Sequence, residues 1–269
     1  MKIEASRENN QIALKGVSEW LGLHPDTFTP YYQELILNQG FLKELSRQIE
    51  KNSNFKKDPP KLFSQVPISN PDWFGLQRIL LYCMVRLLEP NLVLETGVYY
   101  GGNSAFILQA LEVNQKGKLI GIDLPQHSMI HTQKKNRHPW VGESETYSSS
   151  FQPGFIIPDD LCYRFDLRIG DSVEEIQKIG DSVDFFIHDS EHTYTHVEHE
   201  LKAALKLMKS DGLMLVDDID WSNAFYDFIV RTKLYAIFLP DNGKDNLRMR
   251  FGIVKLDHEK NDLKGVTKR

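Results

Sequence analysis

The sequence predicts an α/β fold with a seven-stranded, mostly parallel sheet and one antiparallel strand near its end. Two observations support this prediction. Short apolar runs alternate with helical segments from residue 92 onward, and several of these runs end in an acidic residue. The last two runs are close enough to form a hairpin across Pro240-Asp241-Asn242-Gly243.

The strands and helices are predicted in a regular order. Five strands precede the hairpin, at residues 92–97, 118–123, 167–172, 183–189 and 213–217. Helices are predicted at residues 104–113, 195–208 and 225–231, and the hairpin strands at 234–239 and 248–256. The second of these helices is expected to begin with the capping box Thr195-x-x-Glu198 and to end at Asp211-Gly212.

Two segments lie outside this alternating core. Residues 1–89 are predicted to be a helical N-terminal extension, which caps the site, makes a dimer contact or simply extends the core; Gly75 to Leu88 forms its last helix. Residues 90–269 form the ligand-binding domain. Within it, residues 125–160 are an insertion long enough to indicate a functional loop. We interpret it as a substrate lid that carries Trp140, Tyr147 and Phe151.

The first strand leads into a glycine loop that suits a nucleoside. Glu95 ends the strand, Gly97 to Gly102 allow close backbone approach, and Asp123 ends the next strand. A dinucleotide fingerprint requires a glycine where Tyr99 stands, and Glu95 is unsuited to phosphates. S-adenosylmethionine (SAM), a nucleoside with a positive centre and no phosphate, fits better. The alternative is an ordinary glycine turn.

Residues 92–256 resemble the class I SAM-dependent methyltransferases. The resemblance is carried by Val93 to Gly97 and on to Ser104, by Gly121–Asp123, by Gly170–Ser172, and by His188–Tyr194 with Leu215–Ile219. The nearest branches are the catechol O-methyltransferases and the macrocin-type sugar O-methyltransferases with their cephalosporin-hydroxylase-like relatives. The resemblance implies a Rossmann-like SAM-binding methyltransferase domain.

The resemblance also implies a set of cofactor-binding residues. The glycine loop and Glu95 would hold the methionine end, Asp123 the ribose hydroxyls, and Asp171 the adenine amine. The full set is Glu95, Gly97, Tyr99, Gly101, Asn103, Ser104, Asp123, Asp171, Ser172 and Asp189.

Three acids are predicted to converge at the ends of the fourth and fifth strands. Asp189 follows one strand, and Asp217 and Asp218 follow its neighbour. Unpaired acids that close repel one another, and oxygen ligands suit Mg²⁺, or else Mn²⁺ or Ca²⁺. The resemblance implies the same metal site. In the alternative interpretation these acids merely end strands and cap a helix.

His192 is the candidate catalytic base. A hydroxyl must lose its proton as it attacks the methyl group, and a histidine that titrates near neutrality can accept it. In the macrocin-type pattern Asp-x-x-His, the histidine lies beside the acceptor hydroxyl. A surface histidine is the alternative.

Further histidines allow a zinc site to be considered. His192 and His196 are four residues apart, and His199 and Glu200 follow on the same polar side. The third ligand is unclear, so a solvated helix face is the preferred interpretation.

Composition excludes several classes of function. The chain of 269 residues has a net charge of −5 and no long basic run before its tail, which argues against a nucleic-acid partner. Cys83 and Cys162 are its only cysteines, and there is no signal peptide or membrane span, so a cytoplasmic location is expected.

The sequence therefore predicts a SAM-dependent O-methyltransferase, dependent on a divalent metal, that methylates a hydroxyl of a small molecule such as a sugar, polyketide or phenolic compound. A homo-oligomer is left open. The alternatives are a hydroxylase-like relative of the same fold and a non-catalytic SAM- or nucleoside-binding partner subunit.

Overall fold

The computed structural model describes residues 2–51, 75–124, 152–240 and 249–256. Seven strands in these ranges form one sheet. They are β1 (Leu92–Thr96), β2 (Lys118–Asp123), β3 (Phe165–Ile169), β4 (Val183–His188), β5 (Met208–Val216), β6 (Tyr235–Pro240) and β7 (Met249–Lys255).

The order of the strands brings the predicted acids to one edge of the sheet. The order is β3-β2-β1-β4-β5-β7-β6, with β1 to β5 parallel and β7 antiparallel to both of its neighbours. This confirms the predicted mostly parallel sheet. In the register, Thr96 lies opposite His188, and His188 lies opposite Val216. The carboxyl ends of β1, β4 and β5 are therefore adjacent.

Helices cover both faces of the sheet. They are α1 (Lys2–Trp20), α2 (Thr29–Leu37), α3 (Gln39–Lys51), α4 (Gly75–Leu88), α5 (Gly102–Asn114), α6 (Ser172–Gln177), α7 (Tyr194–Leu205) and α8 (Ala224–Thr232), with 3₁₀ turns at Pro25–Phe28 and Asp159–Arg164. Each helix in these ranges is too short or too polar to cross a membrane.

Alternation along the strands creates two apolar cores. Val93 and Phe185 face a core shared with α4 and α5, whereas the next residues, Leu94 and Phe186, face a core shared with α7 and α8. Successive strand residues point to opposite faces, and a sheet covered on both faces needs both to be apolar.

The N-terminal helices belong to the first core. Phe41 of α3 packs edge-on against Phe106 of α5 at 5.2 Å between ring centroids. Glu34 of α2 accepts hydrogen bonds from Tyr82 and Arg86 of α4. The predicted helix from Gly75 to Leu88 is confirmed. The predicted role of the extension as a cap or dimer contact stays a prediction.

Two local predictions about α7 are wrong. The helix ends at Leu205, and Asp211-Gly212 lies inside β5, because residues from Met208 onward pair with β4. The helix begins after Thr193, whose hydroxyl donates to Glu191 (2.8 Å) and makes no cap hydrogen bond. Thr195 is already in the first turn, so the capping box does not form.

Most of the predicted lid lies outside the described residues, including Trp140, Tyr147 and Phe151. The described end of the insertion contacts the glycine loop. The backbone amide of Gly154 donates to the carbonyl of Tyr99 (2.8 Å), and that of Ile156 donates to the carbonyl of Tyr100 (3.1 Å).

Candidate active site

The glycine loop after β1 crosses the end of β4 with no room for a side chain at Gly97. This residue has φ +83°, and a Cβ there would lie 1.9 Å from the backbone oxygen of Asp189. Gly101 has φ +95° and turns the chain into α5. Left-handed backbone and close approach both require glycine at Gly97, so the loop packs directly against the end of β4.

Glu95 is buried beneath this loop with one oxygen unused. Its side chain is fully buried and accepts a hydrogen bond from Ser104, while Oε1 has no hydrogen-bond partner among the described residues. Burial raises the pKa of Glu95 to about 8, against the lowering effect of Ser104, and the charge of Asp123 raises it further. Glu95 is therefore largely protonated at neutral pH, and a cation placed beside it would favour its ionised form.

Asp123 holds the loop to the end of β2. Its Oδ2 accepts from the backbone amide of Tyr99 (2.5 Å) and its Oδ1 from that of Leu124 (2.7 Å). Burial raises its pKa to about 6 although these backbone hydrogen bonds lower it. A carboxylate has about four acceptor positions, so Asp123 can still accept from a hydroxyl group.

Asp171 and Ser172 begin the short helix α6. Asp171 is exposed, and its Oδ1 accepts from the backbone amide of Glu174 (3.0 Å) as an N-cap. Ser172 is buried, with its hydroxyl 3.2 Å from Nε2 of His196. The predicted contact with adenine stays a prediction for both residues.

Asp189 lies among other acids at the end of β4. Its Oδ2 accepts from the side-chain amide of Asn103 on α5 (2.8 Å). Burial raises the pKa of Asp189 well above its usual range, and the nearby charges of Asp217, Asp218 and Glu95 add to this effect. The sequence prediction that these acids converge is consistent with this electrostatic coupling.

Asp217 and Asp218 pair with an arginine that the sequence did not indicate. Nε of Arg250 on β7 lies 3.5 Å from Oδ1 of Asp217, and its Nη2 lies 2.9 Å from Oδ1 of Asp218. Both acids are buried, and Asp218 has φ +50°, a rare conformation for a residue with a side chain.

His192 contacts the same acid pair. Its Nε2 lies 3.2 Å from Oδ2 of Asp218, and its ring centroid is 5.4 Å from that of Trp221. Burial lowers the pKa of His192 to about 4, and the charge of His188 lowers it further. The side chain is thus a neutral imidazole across the physiological range and does not titrate near neutrality as the sequence suggested.

A buried polar cluster around Glu200 lies next to the site, and it was not predicted from the sequence. Glu200 on α7 is fully buried and accepts from Thr96 (2.7 Å), Ser190 (2.8 Å) and His196 (2.9 Å), and it also contacts Nδ1 of His188. Burial raises the pKa of Glu200, but the charge and hydrogen bond of His188 outweigh it and hold the pKa well below the usual range. The solvated helix face predicted for this residue is wrong.

Arg78 of α4 is a second basic residue that sequence reasoning missed. Its Nη2 donates to the hydroxyl of Tyr100 (2.8 Å), and its charge acts to lower the pKa values of Glu95 and Asp189. The N-terminal extension thus reaches the site through this side chain.

The described residues do not fit the predicted magnesium site. No group of three histidine, cysteine or acidic side chains in the described ranges has an arrangement that could hold a metal ion. The carboxylates are occupied instead by protein partners: Asp189 by Asn103, and Asp217 and Asp218 by Arg250.

Comparisons with known proteins agree with this architecture. Residues 94–219 match a family model described as a methyltransferase domain. None of the curated proteins compared with this chain matches its sequence.

Two solved structures illustrate the shared fold. An O-methyltransferase from Bacillus cereus in complex with S-adenosylhomocysteine (SAH) is 15% identical, with 80% of this chain and 91% of that chain covered and a TM-score of 0.53. TomG, an O-methyltransferase from Streptomyces achromogenes involved in tomaymycin synthesis and solved with SAM, is 16% identical over 80% of this chain and 89% of that chain, with a TM-score of 0.50.

Proposed function

We propose that the chain is a class I SAM-dependent methyltransferase and that it methylates a hydroxyl oxygen of a small molecule. The observation that carries the proposal is the contact between His192 and Asp218, made beside Asp189 where the glycine loop crosses β4. A partly buried neutral imidazole paired with a carboxylate suits removal of a hydroxyl proton.

The described residues fit SAM. Oε1 of Glu95 is a buried acceptor without a partner among the described residues, and Gly97 leaves no side chain between the loop and the end of β4. Glu95 and the loop would hold the methionine end, Asp123 the ribose, and Asp171 with Ser172 the adenine. When bound, SAM supplies an electrophilic methyl group on a positive sulfur.

The protein's own part in the reaction is to position the acceptor and receive its proton. His192 would accept the proton of the hydroxyl, and Asp218 would stabilise the imidazolium that forms. Positioning of the acceptor hydroxyl for in-line attack would supply much of the acceleration.

SAM binding is the first expected outcome. Calorimetric titration of the purified chain should show binding of SAM and SAH in preference to NAD. Asp123→Ala should weaken SAM binding by about 10²–10⁴-fold, since two hydrogen bonds to a charged acceptor are each worth about 1.5–3 kcal/mol. Loss of the loop contact with Tyr99 adds to the effect.

Asp166→Ala is the matched control. Asp166 lies exposed on the neighbouring strand β3 and pairs only with Arg168 among the contacts described, so SAM affinity should not change. Binding of NAD without binding of SAM would overturn the proposed function. Incubation with SAM and a panel of sugars, polyketides and phenols, followed by mass spectrometry, then identifies the acceptor by its added methyl group.

SAM affinity is also expected to depend on pH through Glu95. A cation bound beside Glu95 favours its ionised form, so binding requires loss of the proton that this group holds below its pKa of about 8. The dissociation constant should therefore fall as pH rises from 7 to about 8, by at most about tenfold per pH unit, and level off above it.

Glu95→Gln separates this effect from titration of the ligand. The variant should lose the part of the pH dependence due to Glu95, while any contribution from the ligand's own amine persists in both proteins. Calorimetry in buffers of different ionisation enthalpy should show proton release on binding by the wild type near pH 7 and less by the variant. Identical pH profiles would show that Glu95 does not face the cationic end of SAM.

A further inference from the structure

Arg250 is fixed beside Asp217 and Asp218 by the backbone as well as by its side chain. The amide of Ile219 donates to the carbonyl of Arg250 (3.0 Å), and Gly252 lies opposite Val216 in the antiparallel pairing of β5 with β7. The backbone of Arg250 is therefore held at this end of β5, within reach of both carboxylates for its side chain.

The guanidinium lies where a divalent cation would have to bind. It lies 3.5 Å from Oδ1 of Asp217 and 2.9 Å from Oδ1 of Asp218, so a cation shared by these two oxygen atoms would have to take its place. An arginine is always protonated and offers several donors to carboxylates. Two neighbouring buried carboxylates need a positive partner, and this chain supplies one from its own sequence.

Asp218 connects this arginine to His192. Its Oδ1 faces Arg250, and its Oδ2 faces Nε2 of His192. A neutral imidazole that meets a carboxylate at Nε2 carries its proton there and has its lone pair at Nδ1. Among the described residues, Nδ1 of His192 is a buried atom with no hydrogen-bond partner.

We propose that Arg250 takes the place of a divalent cation at Asp217 and Asp218, and that Asp218, held in this way, fixes the tautomer of His192 that has its proton at Nε2 and its lone pair at Nδ1. The role of His192 as a base rests on the proposed function. The replacement of a cation by Arg250 at Asp217 and Asp218 does not. Asp218 and Arg250 are positioning residues, and activity in the presence of a chelator is the expected consequence.

Metal affinity tests the role of Arg250 without an acceptor. Mn²⁺ binding is measured by electron paramagnetic resonance for the full chain and for Arg250→Ala, Arg250→Lys and Arg168→Ala. The wild type, the lysine variant and the Arg168 control should bind Mn²⁺ weakly and alike. Arg250→Ala should bind it at least about tenfold more tightly, because the acids then lack their cation.

The double variant Arg250→Ala/Asp218→Asn should lose the gained affinity. Stoichiometric Mn²⁺ binding by the wild type, or no gain in a folded Arg250→Ala protein, would overturn the cation replacement. If Arg250→Ala fails to fold, Arg250→Gln provides a neutral side chain of similar length for the same comparison.

The tautomer of His192 tests the role of Asp218. Nitrogen NMR of histidine-labelled protein distinguishes a protonated ring nitrogen from one with a lone pair, and His192→Gln identifies the signals. The wild type should carry the proton on Nε2, and Asp218→Asn should shift the population toward Nδ1. A wild-type proton on Nδ1 would overturn the assignment.

SAM titration of the same proteins keeps the two proposals separate. Wild type that fails to bind SAM would refute the proposed function, whatever the metal and tautomer results. SAM binding together with tight wild-type Mn²⁺ binding would refute only the role of Arg250.

Discussion

Replacing Gly97 with alanine should abolish SAM binding and lower the free energy of unfolding by about 2–6 kcal/mol. The alanine would have to adopt φ +83°, and its Cβ would lie 1.9 Å from the backbone oxygen of Asp189. Neither the loop nor the end of β4 can yield without moving Glu95 or Asp189. Thermal or urea unfolding measures the loss of stability, and calorimetry measures SAM binding.

Gly180→Ala is the control for this substitution. Gly180 is exposed, has no positive φ, and a Cβ there would meet no atom within 4 Å. Its replacement should leave both SAM affinity and stability almost unchanged. Normal SAM binding by Gly97→Ala would show that the loop can move away from β4 and that this close approach does not shape the cofactor site.

Much of the fold could be predicted because its signals are local. Buried parallel strands are short, continuous apolar runs, and here each lies within a few residues of its predicted position. The boundary between α7 and β5 was predicted wrongly because it depends on the pairing of β5 with β4. Asp211-Gly212 resembles a helix end, but Met208 pairs with Val183 and draws the segment into the sheet.

The acidic part of the site was also accessible from sequence. Acids at the ends of adjacent parallel strands meet at one edge, which brings Asp189 near Asp217 and Asp218. Their partners could not be found in the same way. Arg250 comes from a strand whose register with β5 is a long-range property, and Arg78 comes from a helix that precedes the sheet.

The burial of Glu200 could have been predicted from its spacing along the helix. Val197 and Ala204 lie on the buried face of α7, and Glu200 is three residues after the first and four before the second. Those spacings place it on the same face. An acid on an apolar helix face needs buried donors, and Thr96, His188 and Ser190 provide them.

The low pKa of His192 changes the pH dependence of the rate that is expected if this residue is the base. With a pKa of about 4, the imidazole is already neutral at pH 6, so its titration should not limit the rate between pH 6 and 8. Protonation lowers the rate only as pH approaches 4. A flat profile of kcat over the neutral range, measured at saturating SAM so that the titration of Glu95 does not contribute, is therefore consistent with His192 as the base.

His192→Ala should lower kcat by about 10²–10⁴-fold, the usual cost of a lost general base. The imidazole contacts Asp218 and Trp221 and none of the residues expected to hold the ribose or adenine of SAM, so SAM affinity should change little. The measurement is steady-state turnover of the acceptor found by mass spectrometry, with SAM binding followed by calorimetry.

His199→Ala is the matched control, because His199 is exposed on α7 and its loss should leave kcat unchanged. A large loss of kcat in His192→Ala with no loss in His199→Ala would show that the effect is specific to His192 and does not follow from removal of any nearby histidine. If His192→Ala retained full kcat while it bound SAM normally, the proton would have to leave through another group. Asp218, which remains beside the site in that variant, would then be the next residue to replace, since its carboxylate would have lost the imidazole and could face the acceptor directly.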